Sequence, residues 1–134
     1  MTVATNETLE SVYGQVKRHE KSLAKVEHSG HRVERDVFGD LLAETRAVSH
    51  GLETVLKERQ MDPEQIDVPD APSTITPHSL INEINEIRES YGKAIAEFTT
   101  ESSVKKALEA QHNRFSGGAQ DKLEILCAAI VSDQ

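Results

Sequence analysis

Apolar residues recur at alternating steps of three and four along four segments of this 134-residue chain. The stripe of the first segment, about residues 6–28, comprises Leu9, Val12, Val16, Leu23 and Val26. His19 occupies the one place in that series where an apolar residue is missing. Residues at these steps lie on one face of an α-helix. Because a helix with one apolar face must bury that face against another element, the pattern predicts helices packed together.

Three further segments share this spacing, and we predict them at about residues 31–61, 77–99 and 101–131. Their stripes are mostly Leu, Ile and Val, with Glu44 and Thr45 interrupting the second one. Thr76 is a good N-cap for the third segment, because Pro77 then takes the first helical position, where a missing N–H costs nothing. Gly92 in this segment is interpreted as the mark of a close helix approach.

The stretch 62–76 differs from the rest of the chain. It holds three of the four prolines and has no helical period. Fifteen extended residues reach about 50 Å at roughly 3.3 Å each, enough to run the length of the second helix. A long connection of this kind permits a parallel crossover. The alternative is a hinge between two separate helical hairpins. We favour one domain, residues 1–134, because a lone hairpin would leave its apolar stripe exposed.

The composition excludes several classes of protein. The chain has 23 acidic and 15 basic side chains, a net charge of −8, which argues against a general nucleic-acid binder. A single cysteine excludes a disulfide framework and a four-cysteine zinc site. No apolar run approaches the roughly 18 residues of a membrane span, and the N-terminus lacks a secretory signal. We therefore expect a cytoplasmic protein that binds neither nucleic acid nor membrane.

Two antiparallel hairpins joined by one long crossover resemble the ferritin-like four-helix bundle. The stretches RQMDP at 59–63, YGKA at 91–94 and LEAQH at 108–112 resemble small bacterial members of that superfamily whose function is uncharacterised. The fold class that we predict is therefore all-α, a four-helix bundle with a proline-containing crossover. The resemblance implies a test, since carboxylate proteins of this superfamily hold two metal ions. Their ligands are a Glu from each of two helices and a Glu-x-x-His pair from each of the other two.

This chain matches the ligand pattern in part. Glu109 and His112 form one Glu-x-x-His pair, in which a spacing of three puts both side chains on one helix face. Glu20 is the candidate lone carboxylate of the first helix, and Glu44 is the candidate of the second, where Ala47 stands in place of the expected histidine. On the third helix we interpret Glu83, Glu86 and Glu89 as lying off the apolar stripe. Two of the four ligand groups are thus missing or displaced, so we expect no resident cofactor. Iron or manganese is the alternative.

A second interpretation of the interior polar residues is structural. His19, Thr45 and Tyr91 are predicted to form an interior polar layer. In this interpretation, His19 and His112 bond to Glu44, Thr45 or Glu109 across the bundle. Such a layer fixes the register of the helices, provided that each member has a partner.

Three functions remain open. The favoured one is a non-catalytic bundle that acts through self-association, as a homodimer, or through binding a protein partner. The first alternative is a di-iron or di-manganese redox protein. The second is a structural helical component of a larger assembly, which sustained three-four spacing would serve equally well. The sequence contains no phosphate-binding loop, nucleophile elbow or zinc-protease motif that would support another chemistry.

Overall fold

A computed structural model describes residues 2–26, 32–98, 101–115, 121 and 123–125. Its helices are α1 (Thr2–Val26), α2 (Arg32–Glu58), α3 (Pro77–Glu97) and α4 (Ser102–Phe115), with a 3₁₀ turn at Pro63–Gln65. Residues 121 and 123–125 are helical as well, and no strand occurs in the part of the chain that the structure describes. The predicted all-α class is confirmed.

The end of α2 has a local cause. The helix ends at Glu58, three residues before the predicted end, because Gln60 adopts the left-handed conformation with φ of 63°. The N–H of Met61 then donates to the carbonyl of Leu56, and the N–H of Gln60 donates to the carbonyl of Lys57, each at 2.9 Å. This pair of bonds is the Schellman motif, which satisfies carbonyls that the helix end leaves open.

The start of α3 is fixed by a capping box. The hydroxyl of Thr76 accepts from the N–H of Ser79 at 3.0 Å, and the Ser79 hydroxyl accepts from the N–H of Thr76 at 2.9 Å. Pro77 follows at the first helical position, as the sequence indicated. The other bounds differ more. The first helix begins at Thr2 rather than near residue 6, and much of the predicted end of the fourth, up to residue 131, lies outside the described residues.

The four helices form a ring. The first helix packs on α2 and α3, and α4 packs on the same two helices. Among the described residues α2 does not contact α3, and α1 does not contact α4, so these pairs lie diagonally opposite.

The helix directions follow from a few contacts. Thr8 bonds to Glu97 and His19 to Glu83, so α1 and α3 are antiparallel. The five residues between α1 and α2 reach at most about 18 Å, well short of the roughly 40 Å length of α2. Hence α2 is also antiparallel to α1, and it runs parallel to α3. The two hairpins and the long crossover between them are therefore as predicted.

The crossover passes over the outer face of α1. A Cβ on Gly14 would lie 3.3 Å from the carbonyl oxygen of Asp67 and 3.6 Å from Cδ of Pro69. One turn further on, Nε of Arg18 donates to the carbonyl of Asp70 at 3.3 Å. The absence of a side chain at Gly14 lets the crossover approach the helix, so α1 is covered on three sides.

Gly92 does not mark a close approach. A Cβ at this position would meet no atom within 4 Å, so the prediction made for it is wrong. The close approach between helices occurs instead at Gly51 of α2. There a Cβ would lie 2.7 Å from the side-chain nitrogen of Gln111 on α4.

The core is mostly aliphatic, since aromatic residues make up only 4% of the sequence. Its largest fully buried side chains are Tyr91, Phe98, Leu9, Leu23, Leu42, Leu52, Leu56, Leu80, Ile84, Ile87, Leu108 and Leu123. Burial of each aliphatic side chain contributes roughly 1.5–3 kcal/mol. No described helix combines the length and the apolar character needed to cross a bilayer.

Candidate functional site

Three polar side chains meet inside the core, between α1 and α3. His19 and Ser22 share one face of α1, being three residues apart, and both are fully buried. Glu83 of α3 is 8% exposed. The Nδ1 atom of His19 lies 2.8 Å from one carboxylate oxygen of Glu83, and the hydroxyl of Ser22 donates to the other oxygen at 2.9 Å. We call His19, Ser22 and Glu83 the α1–α3 polar network.

The network offsets the cost of burying the Glu83 carboxylate. A carboxylate taken out of water is strongly destabilising unless it is paired and hydrogen-bonded. Each oxygen of Glu83 has such a partner on α1. Because one helical turn is about 5.4 Å, a slip of α3 by a turn along α1 would break both bonds. The network therefore favours a single register of these two helices.

Two further hydrogen bonds join α1 to α3 along their exposed edge. The hydroxyl of Thr8 donates to a carboxylate oxygen of Glu97 at 2.7 Å. The hydroxyl of Ser90 donates to the side-chain oxygen of Gln15, also at 2.7 Å. Polar contacts thus continue from the buried network towards the start of α1.

The four predicted metal ligands do not meet. Glu109 is exposed on α4, and Glu44 is partly exposed on α2. Glu20 accepts from Nζ of Lys17 on its own helix at 2.9 Å. His112 is partly exposed, and its ring stacks on that of Tyr91 with centroids 6.0 Å apart. In the described ranges, no three His, Cys, Asp or Glu side chains lie close enough to share an ion.

The three residues predicted for the interior layer are all buried, and each of them bonds to a different partner. His19 bonds to Glu83, which was not among the three partners expected for it. The hydroxyl of Thr45 donates to the carbonyl of Leu41 in its own helix at 2.7 Å. The hydroxyl of Tyr91 donates to the side-chain oxygen of Gln111 on α4 at 2.9 Å. The polar interior is therefore divided into separate contacts, one of them on the α3–α4 side.

Glu83 is the residue that the sequence interpretation missed. The expectation that no carboxylate of the third helix points inward is wrong for this side chain. A signal was present, since Glu83 lies three residues after Leu80 and four before Ile87, which are both buried. The second signal is the polar gap at His19 in the α1 stripe. A polar residue at helical spacing on each of two helices indicates a pair between them.

Burial changes the acid–base properties of three side chains. Burial and then the hydrogen bond to Glu53, at 2.8 Å, raise the pKa of Tyr13 far above its usual range. Burial alone raises the pKa of Tyr91 well above its ordinary value. Burial and then the charge of Arg88 lower the pKa of His112 below its ordinary value of 6.5. Both tyrosines therefore remain neutral donors.

The α1–α3 polar network combines a serine, a histidine and a carboxylate, yet its geometry suits structure better than reaction. Its serine hydroxyl donates to the carboxylate rather than to the imidazole, whereas a nucleophilic serine needs a base as its partner. The serine and histidine are also fully buried, which keeps a substrate away. Comparisons of the chain with family models, with curated proteins and with solved structures found no match, so the geometry alone carries the functional argument.

Proposed function

We propose that the protein is a non-catalytic, ferritin-like helical bundle that acts in the cytoplasm through self-association or through binding another protein. The observation that carries the proposal is the buried carboxylate of Glu83, both oxygens of which are hydrogen-bonded. Its two oxygens are bonded to side chains of α1, so the most buried acid of the described core joins helices together. Because this acid is used in packing, we expect the protein to act through the outer surfaces between neighbouring helices.

The topology supports the ferritin-like part of the proposal. A single long crossover joins α2 to α3, and these two helices run parallel at opposite corners of the ring. One long crossover is the feature that separates ferritin-like bundles from bundles with short loops throughout. The packing of four helices within one chain also favours a self-contained bundle over a segment of a long assembly.

The positions of the predicted ligands favour this function over the di-iron or di-manganese alternative. Glu109 faces solvent, and the partly buried carboxylate of Glu20 accepts from Lys17 of its own helix. A central metal pair would require both carboxylates to reach the bundle interior. Glu83, the buried carboxylate in the part of the chain that the structure describes, belongs to none of the predicted ligand groups.

Metal analysis of protein purified without chelator tests the proposal. We expect far less than one equivalent of iron or manganese, and a thermal unfolding midpoint that EDTA leaves unchanged. Glu109→Ala and His112→Ala are the matched variants for the predicted pair, with exposed Glu86→Ala as the control. One or two equivalents of metal that are lost in the first two variants and kept in the control would overturn the proposal.

A further inference from the structure

An open groove of about 500 Å³ lies between α2 and α4. Small residues line both of its walls: Ala47 and Gly51 on α2, and Ala107 and Ala110 on α4. The distance between packed helices depends on the side chains at the contact, and small ones allow the closest approach. We call this feature the α2–α4 groove. Small side chains leave this face open to close approach by another molecule.

Gln111 provides a polar contact for such a molecule. This side chain is 8% exposed and lines the groove beside Gly51. Its oxygen accepts from the hydroxyl of Tyr91, whereas its nitrogen has no acceptor among the described residues. Because a primary amide carries two N–H donors, the groove offers a nearly buried donor to an incoming acceptor.

The two ends of the groove carry opposite charges. Glu58 of α2 lies at one end and Arg114 of α4 at the other. Both side chains are exposed, and neither forms an ion pair with another residue of the described structure. The ends are about 16 Å apart, from eleven residues at roughly 1.5 Å each. An acid at one end and a base at the other make the groove complementary to a copy of itself turned end for end.

We propose that a second copy of this chain docks on the α2–α4 groove about a twofold axis perpendicular to it. The axis exchanges the two ends, so Glu58 of each copy approaches Arg114 and the amide nitrogen of Gln111 of the other. A twofold interface presents the same patch on both subunits, which is the symmetry that this charge pattern requires. The inference rests on the proposed function and names the partner for it.

The size of the described face limits the strength of the dimer. The fourth helix runs beside α2 for fourteen residues, about 21 Å, and two adjacent helices are roughly 20 Å wide, which gives about 420 Å². A standard interface buries about 800 Å² on each partner. The inference is therefore of a weak dimer that forms at high protein concentration.

A charge exchange tests the interface. Sedimentation velocity and light scattering of the full chain over a wide concentration range are expected to show a monomer–dimer equilibrium. Glu58→Arg and Arg114→Glu should each weaken the dimer by about tenfold or more, since each single variant places like charges together twice. The double variant should restore the dimer, because its charges are again opposite across the twofold axis. Lys93→Glu, a charge reversal on the exposed face of α3, is the matched control and should leave the dimer intact.

A second variant tests the groove without a change of charge. Ala110→Leu fills the α2–α4 groove and should also weaken the dimer, whereas Ala96→Leu, at an exposed alanine between α1 and α3, should not. Circular dichroism confirms that each variant is folded.

The outcomes separate the inference from the proposed function. A monomer at every concentration overturns the inference, as does a dimer that is insensitive to both charge reversals and to Ala110→Leu. Neither result contradicts the other part of the proposed function, which is binding to a different protein. Stoichiometric metal in the analysis above would overturn the proposed function itself, whatever the oligomeric state.

Discussion

The α1–α3 and α2–α4 interfaces bring together helices of the same bundle by different means. Between α1 and α3, long polar side chains reach across and bond to one another, both in the core and at the edge. Between α2 and α4, small residues leave an open groove, and the ion pair between Arg59 and Glu101 joins the end of α2 to the start of α4. Polar side chains of the first interface thus bond to one another within the chain, whereas the second presents a donor and two charges outward. Interfaces of one fold can therefore serve stability and association separately.

The largest expected effect breaks the α1–α3 polar network. His19→Leu leaves the buried carboxylate of Glu83 with Ser22 alone, and should lower the free energy of unfolding by about 3 kcal/mol. Urea denaturation followed by circular dichroism measures it. The control is His50→Leu, which removes an exposed histidine 3.4 Å from Glu53 and should change stability by less than about 1 kcal/mol.

A multiple variant sharpens the same test. Replacing the whole network in His19→Leu/Ser22→Ala/Glu83→Leu removes the buried charge together with its partners, and it should recover most of the lost stability. If His19→Leu costs no more than the surface control, the network does not hold these helices together.

The second effect concerns the crossover on the outer face of α1. Gly14→Leu places a side chain against the backbone of Asp67, which cannot move as a flexible side chain can, and should destabilise the fold by about 1–3 kcal/mol. Gly92→Leu is the matched control, because open space surrounds that glycine. It should be neutral or stabilise α3 by up to about 1 kcal/mol through helix propensity. Thermal unfolding compares the two. If the two substitutions change stability equally, the crossover does not pack against α1 at Gly14.

The smallest expected effect concerns how stability depends on pH through His112, which stacks on Tyr91 on the α3–α4 side. Since the folded pKa of His112 is lowered, the unfolded chain takes up a proton more readily. The contribution of this group to stability is present above about pH 6.5 and is lost as the pH falls through the lowered folded value. His112→Gln should therefore lose less stability than the parent between about pH 7.5 and pH 5. The exposed His78→Gln should behave like the parent. Identical slopes for the parent and both variants would contradict this assignment.

Helical periodicity and proline placement were enough to predict the class, the hairpins and the crossover, because both follow from local rules. Pro77 shows this well, since its position after Thr76 determines a helix start with no tertiary information. Gly92 shows the limit, because a glycine in a helix does not reveal which neighbour, if any, approaches it. The close approaches occur instead at Gly14 and Gly51, and the residues that approach them are far away in the sequence.

Only one side of the candidate site could be predicted from the sequence. The gap at His19 in the α1 stripe indicated a buried polar residue, and the histidine is fully buried. Its partner depends on the relative register of α1 and α3, which periodicity does not give. If the apolar stripe assumed for α3 is shifted by one residue, Glu83 moves from the surface to the core. The Glu-x-x-His pair at 109–112 indicated a site on α4 instead.

The contacts of α1 have a consequence for how the chain is made. His19 and Ser22 find their acceptor 64 and 61 residues later, and Thr8 finds its acceptor 89 residues later. Contacts between such distant residues slow folding relative to local ones, because long loops must close first. During synthesis, α1 and α2 emerge with apolar surface uncovered, and surface of that kind promotes aggregation. The first helix is translated before α3, and it therefore completes its packing only after α3 has left the ribosome.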